Sequence, residues 1–228
     1  MGKRTKAVKI TDIKANKPWL KKVGITPYRE ETKEPNKTFL IVCEGQTEAL
    51  YFKSFPTISA EVKTHDVGCS NMTLVECTIA LAEDSDFDEV WCVFDMDLKQ
   101  DENGQLEDFN SAIQKCLAEG IRCAYSNDAF ELWLYLHFQY TDQSNHRSFY
   151  FDQLSKLFNL NYVREGKKRK FASKLYDFLN DNDDANQAEA IERAKSLENI
   201  HIGVAPHLQN PITFVHLLVE ELNKYLQK

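Results

Sequence analysis

The chain has 228 residues, of which 43% are hydrophobic and 28% charged. Burial of the hydrophobic side chains can offset the conformational entropy that the chain loses on folding, which excludes a wholly disordered protein. Its formal net charge of -7 excludes a protein that coats nucleic acid through bulk charge and leaves only local contacts. None of the six cysteines forms a C-x-x-C pair, which predicts reduced thiols. No apolar run approaches the roughly 20 residues that span a bilayer, and no signal-peptide pattern is present, so we predict a cytoplasmic protein without membrane contact.

The first segment of the chain, residues 1–37, is polar and basic. It carries eight lysines and arginines in its first 22 residues against one acidic residue. We predict a basic arm without a core of its own. Such an arm is typically a solvated tail, and contact with a phosphate backbone is the alternative.

From Thr38 onward, strand and helix patterns alternate. Short apolar runs end near residues 44, 69, 94 and 126, and the segments between them carry helical patterns over residues 47–55, 73–84 and 108–119. This alternation is typical of a mostly parallel sheet with helices on both faces. We therefore predict an α/β core over residues 38–138.

After Asn127 the strand pattern fades and helical spacing takes over. The predicted helices cover residues 129–138, 151–157, 171–179, 189–197 and 213–226. In the last of them, Phe214, Leu217, Leu218 and Leu222 fall on one face, which predicts packing against the core. We expect residues 139–228 to form a helical extension.

Carboxylates follow two of the predicted strands where each apolar run ends. Glu44 ends the run Phe39–Cys43, and Asp95-Met96-Asp97 ends the run Val90–Phe94. The carboxyl ends of parallel strands open onto the ligand crevice, so these side chains should converge there. Carboxylates that converge repel one another unless a cation holds them, and oxygen ligands suit Mg²⁺ or Mn²⁺. We predict a divalent-metal site formed by Glu44, Asp95 and Asp97.

Two further glutamates are candidates for the same site. Gly45 permits a tight turn after Glu44, and Glu48 falls in the first turn of the next helix, where the helix dipole alone would account for it. Glu131 lies in the apolar helix after the last strand, four residues beyond Asn127, so both could face the crevice; a surface position is the alternative. We include Glu48 and Glu131 among the catalytic candidates.

One dense basic cluster lies in the body of the chain, between Tyr162 and Phe171. A solvated loop is the ordinary interpretation of such a run. In so acidic a chain, a local basic patch beside aromatic residues is also where a nucleic-acid backbone would bind. The predicted nucleic-acid-binding residues are Arg164, Lys167, Lys168, Arg169 and Lys170.

Other metal-site and phosphate-site motifs fit the Asp95-Met96-Asp97 segment less well. An EF-hand loop is excluded because Lys99 and Gln100 occupy positions that need an oxygen ligand and the turn glycine. A haloacid-dehalogenase-type phosphatase would use Asp95 as a nucleophile, but Lys99 breaks its DxDx[TS] pattern. It stays a distant alternative.

Four separated motifs resemble the Toprim domain of topoisomerases, bacterial primases and OLD-family nucleases, and within that group the RloB family. They occur in the family's order and span roughly residues 40–220: Ile41–Glu48 with Tyr51-Phe52, Val93–Asp97, Ser126–Phe138 and Asn210–Thr213. Two positions depart from the pattern. Asp128-Ala129 stands where the family more often has Pro-Cys. Lys99 stands where acidic Toprim sites often carry a further acid, so the resemblance leaves open whether the site holds one metal ion or two.

The resemblance implies a Toprim-like fold and an effector nuclease in bacterial anti-phage defence, often encoded beside an AAA-type ATPase. It would hydrolyse phosphodiester bonds of RNA, tRNA included, or of DNA with Mg²⁺ or Mn²⁺. Asp95 and Asp97 would hold the ion, and Glu44 would help deprotonate the attacking water. The alternative is a non-catalytic sensor or adaptor of the ATPase complex that binds a metal or nucleotide. The sequence leaves assembly into a homo-oligomer open.

Overall fold

Strands and helices alternate in the first half of the chain and helices dominate the second. The computed structural model describes residues 37–57, 60–96 and 104–226. The predicted arm lies outside these ranges except for Lys37, which begins the first strand. In chain order the elements are β1 (Lys37–Cys43), α1 (Gln46–Lys53), β2 (Ala60–Asp66), α2 (Asn71–Glu83), β3 (Glu89–Asp95), α3 (Gln105–Ala118), β4 (Arg122–Asn127), α4 (Glu131–Leu136), α5 (Arg147–Leu157), a π-helical turn (Tyr162–Gly166), α6 (Arg169–Ala172), α7 (Leu175–Asn180), α8 (Gln187–Ile200), a 3-10 turn (Pro206–Leu208), β5 (Ile212–Thr213) and α9 (Val215–Asn223).

The strands form one five-stranded sheet in the order β2-β1-β3-β4-β5. The pairs from β2 to β4 are parallel, and only β5 is antiparallel to its neighbour. The carboxyl ends of β1, β3 and β4 therefore lie side by side at one edge of the sheet. The structure confirms the predicted α/β fold with a mostly parallel sheet.

Both faces of the sheet are buried, which explains why its central strands are continuous apolar runs. Along β1, Phe39 and Ile41 face one core while Leu40 and Val42 face the other, and all four are almost fully buried. Helices α2 and α3 cover the second face. The first face packs against α1 and helices of the C-terminal half, α4, α5, α8 and α9 among them. Helices thus cover both faces, as predicted.

Two details of the C-terminal half differ from the prediction. Ile212 and Thr213 form β5, which pairs with Ser126 and Asn127, where we predicted that a helix begins at residue 213. A two-residue strand is too short to produce a periodic pattern, so its pairing is visible only in the fold. The helix predicted over residues 171–179 is interrupted, and α6 and α7 take its place.

None of the helices in the described part of the chain has the length and apolar character needed to cross a bilayer.

Candidate active site

A crevice of about 640 Å³ opens at the edge of the sheet where β1 and β3 end. Its lining includes residues that follow the strands, the first turns of α1 and α2, and parts of the C-terminal half. Among the described residues, five carboxylates and two basic side chains line it: Glu44, Glu48, Asp95, Asp108, Glu131, Arg147 and Lys167. The crevice is therefore strongly acidic.

Glu44 and Asp95 come together because their strands are neighbours in the sheet. β1 pairs with β3 up to Cys43 and Val93, so the residues beyond that pair lie at the same height. The backbone N–H of Asp95 donates to Oε2 of Glu44 at 3.2 Å. The side-chain amide of Asn71, at the start of α2, donates to the carbonyl oxygen of Asp95 at 3.2 Å. Strand ends and a helix start thus fix the geometry of this pair.

Glu48 reaches the crevice from the first turn of α1. Gly45 precedes that helix in an extended conformation, and the absence of a side chain there leaves room for the Glu48 carboxylate. A Cβ atom on Gly45 would lie 2.5 Å from Oε2 of Glu48, closer than such atoms can approach. Gly45 therefore allows Glu48 to fold back toward Glu44.

The carboxylates influence one another electrostatically. Burial raises the pKa of Glu48 to about 7, and repulsion from Glu131 and Glu44 adds to the shift. Burial also raises the pKa of Asp95 well above its usual value, with further repulsion from Glu48, Glu44 and Glu131. Such shifts are expected where several acids share one partly dry space, because the charged forms are disfavoured. Without a cation, part of this cluster is protonated at neutral pH.

Glu131 connects the crevice to the C-terminal half of the chain. It is buried in the first turn of α4, just beyond the end of β4. The hydroxyl of Tyr162 donates to Oε1 of Glu131 at 3.3 Å, and Nζ of Lys167 lies 3.4 Å from the same oxygen. Both partners belong to or follow the π-helical turn, so the predicted helical extension contributes to the crevice.

Replacing Tyr162 with Phe is expected to lower the free energy of unfolding by about 1–2 kcal/mol, because the buried Glu131 carboxylate loses a hydrogen-bond donor. Chemical denaturation of the metal-free chain measures this. Tyr150 is equally buried, and in the described structure its hydroxyl makes no hydrogen bond to Glu44, Glu48, Asp95 or Glu131. Equal losses in Tyr162→Phe and Tyr150→Phe would contradict a specific contribution of the bond to Glu131.

Four of the five predicted catalytic residues meet in this crevice: Glu44, Glu48, Asp95 and Glu131. Asp97 lies outside the described residues. Asn127, which we expected to face the same crevice as Glu131, instead directs its amide to the carbonyl oxygen of His207 at 3.4 Å.

The predicted basic cluster is divided. Lys167 lines the crevice, whereas Lys168 pairs with Glu165 at 2.8 Å. The other three members, Arg164, Arg169 and Lys170, are exposed. The cluster thus runs from the crevice onto the surface beside it.

The lining residues that sequence reasoning missed include Asn71, Asp108 and Arg147. Asn71 follows the end of β2, so the strand-end rule that identified Glu44 could have found it. Asp108 lies in the first turn of α3, where the helix dipole alone accounts for an acid. Arg147 begins α5, and its place depends on how that helix packs.

The carboxylates fit a divalent cation of the magnesium type. Among the described residues, no three His, Cys, Asp or Glu side chains are placed to hold one ion together. Mg²⁺ does not need such a cage, because it keeps several waters and commonly binds through one or two carboxylates plus substrate phosphates. Glu44 and Asp95 both line the crevice, and a cation there would relieve the repulsion that adds to burial in raising the pKa of Asp95.

A family model described as RloB-like protein matches residues 39–222, most of the chain. The matched range contains all the crevice carboxylates named above and both basic residues that line it. No curated protein and no solved structure matches the chain.

Proposed function

This chain belongs to the RloB-like family, and from that premise we propose that it is a metal-dependent nuclease that hydrolyses phosphodiester bonds. The observation that carries the proposal is the convergence of Glu44, Glu48, Asp95 and Glu131 in one crevice. A phosphodiester is an anion, so it can approach such a crevice only if a cation offsets the carboxylates. A metal-assisted reaction on a phosphate therefore suits this site.

Glu44 and Asp95 would hold the ion, Mg²⁺ or Mn²⁺, together with Asp97 of the same segment. The bound ion would polarise a phosphoryl oxygen and make a coordinated water more acidic. The hydrogen bond from the Asp95 backbone holds the Glu44 carboxylate against the end of the strand that carries Asp95. The amide of Asn71 on the Asp95 carbonyl fixes the strand end that carries the second one.

Glu48 is the proton acceptor in this proposal. Burial makes this carboxylate more basic, with a pKa of about 7 in the metal-free chain, and a cation held by Glu44 and Asp95 would keep it ionised at neutral pH. Its carboxylate accepts the proton of the attacking water, whose oxygen bonds to phosphorus as the bond to the leaving oxygen breaks. Glu48 replaces Glu44 in this role because Glu44 is engaged with the Asp95 backbone.

Replacing Gly45 with Ala is expected to slow cleavage by about 10- to 100-fold, because the new Cβ would displace the Glu48 carboxylate. The free energy of unfolding should change by less than about 1 kcal/mol, since alanine accepts the φ of -120° found at Gly45. Cleavage rates and urea denaturation measure the two effects. Lys53→Ala, an exposed change in the last turn of α1 and outside the crevice lining, serves as the control. Full activity in Gly45→Ala would remove Glu48 from the mechanism.

The exposed basic residues beside the crevice, Arg164, Arg169 and Lys170, are proposed to hold the substrate backbone together with Lys167 and Lys168. The substrate class is RNA, with tRNA as a leading case, or DNA. The proposed setting is bacterial anti-phage defence, with an AAA-type ATPase encoded nearby as the partner. The proposal also allows the chain to assemble into a homo-oligomer. These features come from family resemblance.

The test is cleavage of tRNA, single-stranded RNA and plasmid DNA with Mg²⁺ or Mn²⁺, by the chain alone and with any co-encoded ATPase. Cleavage of one of these by the wild-type chain, lost in Glu44→Ala and Asp95→Ala, is the expected result. If no substrate is cut even with the ATPase present, the nuclease proposal fails and a sensor or adaptor role takes its place.

A further inference from the structure

A lysine ammonium group lies beside one of the carboxylates of the acidic crevice. Of the two basic side chains that line it in the described structure, Arg147 lies beside Asp128, which is outside the lining. Nε of Arg147 lies 3.7 Å from Oδ2 of Asp128, and the backbone N–H of Arg147 donates to that oxygen at 2.8 Å. Lys167 differs, because its partner is the crevice carboxylate of Glu131.

The π-helical turn brings Lys167 to this place. Tyr162, at the start of the turn, is fully buried, and Gly166, at its end, packs directly on the Tyr162 ring. A Cβ atom on Gly166 would lie 2.3 Å from Cδ2 of Tyr162, so only glycine fits there. The tight turn directs the Tyr162 hydroxyl and the Lys167 ammonium to the same oxygen of Glu131.

A second contact holds the ammonium group near the crevice. Nζ of Lys167 lies 4.7 Å from the centroid of the Phe151 ring, within the range of a cation–π interaction. Its charge also acts beyond Glu131, because it lowers the pKa of Glu48 against the effect of burial. Lys167 therefore offsets charge on two of the crevice carboxylates.

We propose that Lys167 is an internal counter-ion of the acidic crevice, and that it competes with the divalent cation and so weakens the affinity of the crevice for that cation. The inference rests on the metal site of the proposed function. A positive charge beside the carboxylates of a partly buried site repels a cation that binds in the same crevice. The crevice would thus bind the cation weakly until a substrate phosphate supplies further ligands.

The test is calorimetric titration of the full chain with Mn²⁺ at fixed ionic strength. Lys167→Met is expected to bind Mn²⁺ about tenfold more tightly than the wild type, since one repulsive charge is gone. Lys167→Arg, which keeps the charge, should bind as the wild type does. Lys168→Met is the matched control, because Lys168 is the next residue but pairs with Glu165, with its side chain 60% exposed against 48% for Lys167.

Equal affinities in Lys167→Met and Lys168→Met would overturn the inference, as would weaker binding in Lys167→Met or no Mn²⁺ binding in any form. The nuclease proposal is judged separately by cleavage. Tighter Mn²⁺ binding in Lys167→Met with no cleavage of any substrate leaves the counter-ion role standing and removes the nuclease. Cleavage by the wild type with unchanged Mn²⁺ affinity in Lys167→Met removes the counter-ion role and leaves the nuclease proposal standing.

Discussion

Replacing Asp95 with Asn is expected to reduce cleavage by about 100- to 1,000-fold while making the metal-free protein more stable. The substitution removes one of the crevice carboxylates proposed to hold the cation. It also removes a buried acid whose pKa is raised well above its usual value by burial and by its acidic neighbours. Loss of that repulsion should raise the free energy of unfolding on the order of 2 kcal/mol at pH 7.

The sign of the stability effect depends on pH. In the unfolded chain Asp95 ionises at its ordinary low pKa, whereas in the folded chain it stays protonated to higher pH. The folded state is therefore penalised increasingly as pH rises, so Asn should stabilise more at pH 8 than at pH 4. Asp152→Asn, an exposed change on α5, should alter neither activity nor stability. An active Asp95→Asn, or one less stable than the wild type without metal, contradicts the account.

The metal-free wild type should also lose stability as pH rises from about 4.5 to above 7, through Glu48. Its folded-state pKa is raised to about 7, above the usual value of 4.5, so the folded chain binds the proton more tightly than the unfolded chain. The stabilisation is complete below pH 4.5 and lost as pH passes through 7. The difference amounts to about 3 kcal/mol. A saturating divalent cation should flatten this dependence, because it favours the ionised carboxylates.

The comparison that isolates Glu48 is wild type against Glu48→Gln across the pH range. The raw slope mixes in His137, a buried histidine whose pKa is lowered to about 4 by desolvation. His137 acts in the opposite direction, since its stabilisation is lost as pH falls from 6.5 toward 4. The Glu48→Gln variant keeps His137, so the contribution of Glu48 should disappear together with the part of the Asp95 contribution that repulsion from Glu48 causes. If the free energy of unfolding depended on pH equally in both proteins, the pKa of Glu48 would not be raised in the folded state.

The sheet and part of the crevice could be predicted from sequence because simple rules govern them. The runs that became β1 and β3 are buried on both faces, so they lack alternation and stand out as continuous apolar stretches. Parallel strands end at a common edge, which is why the sequence predicts that Glu44 and Asp95 lie in one crevice.

The contribution of the C-terminal half could not be predicted in the same way. Lys167 appeared only as a member of a basic run, and its ion pair with Glu131 depends on a π-helical turn that has no periodic signature. Arg147 begins a helix whose position is set by packing, and β5 is two residues long. These features arise from tertiary contacts between segments far apart in the chain, which local propensity does not encode.

The most direct measurement of the central claim is metal-dependent cleavage by the wild type, Glu44→Gln and Glu192→Gln, with Mg²⁺ present or chelated. Glu192 is an exposed glutamate of α8 that pairs with Lys195. Glu192→Gln therefore tests whether the loss of a carboxylate outside the crevice affects cleavage. The account predicts cleavage by the wild type and Glu192→Gln with Mg²⁺, none with chelator, and none by Glu44→Gln. Cleavage that survives chelation, or that Glu44→Gln retains in full, would contradict it.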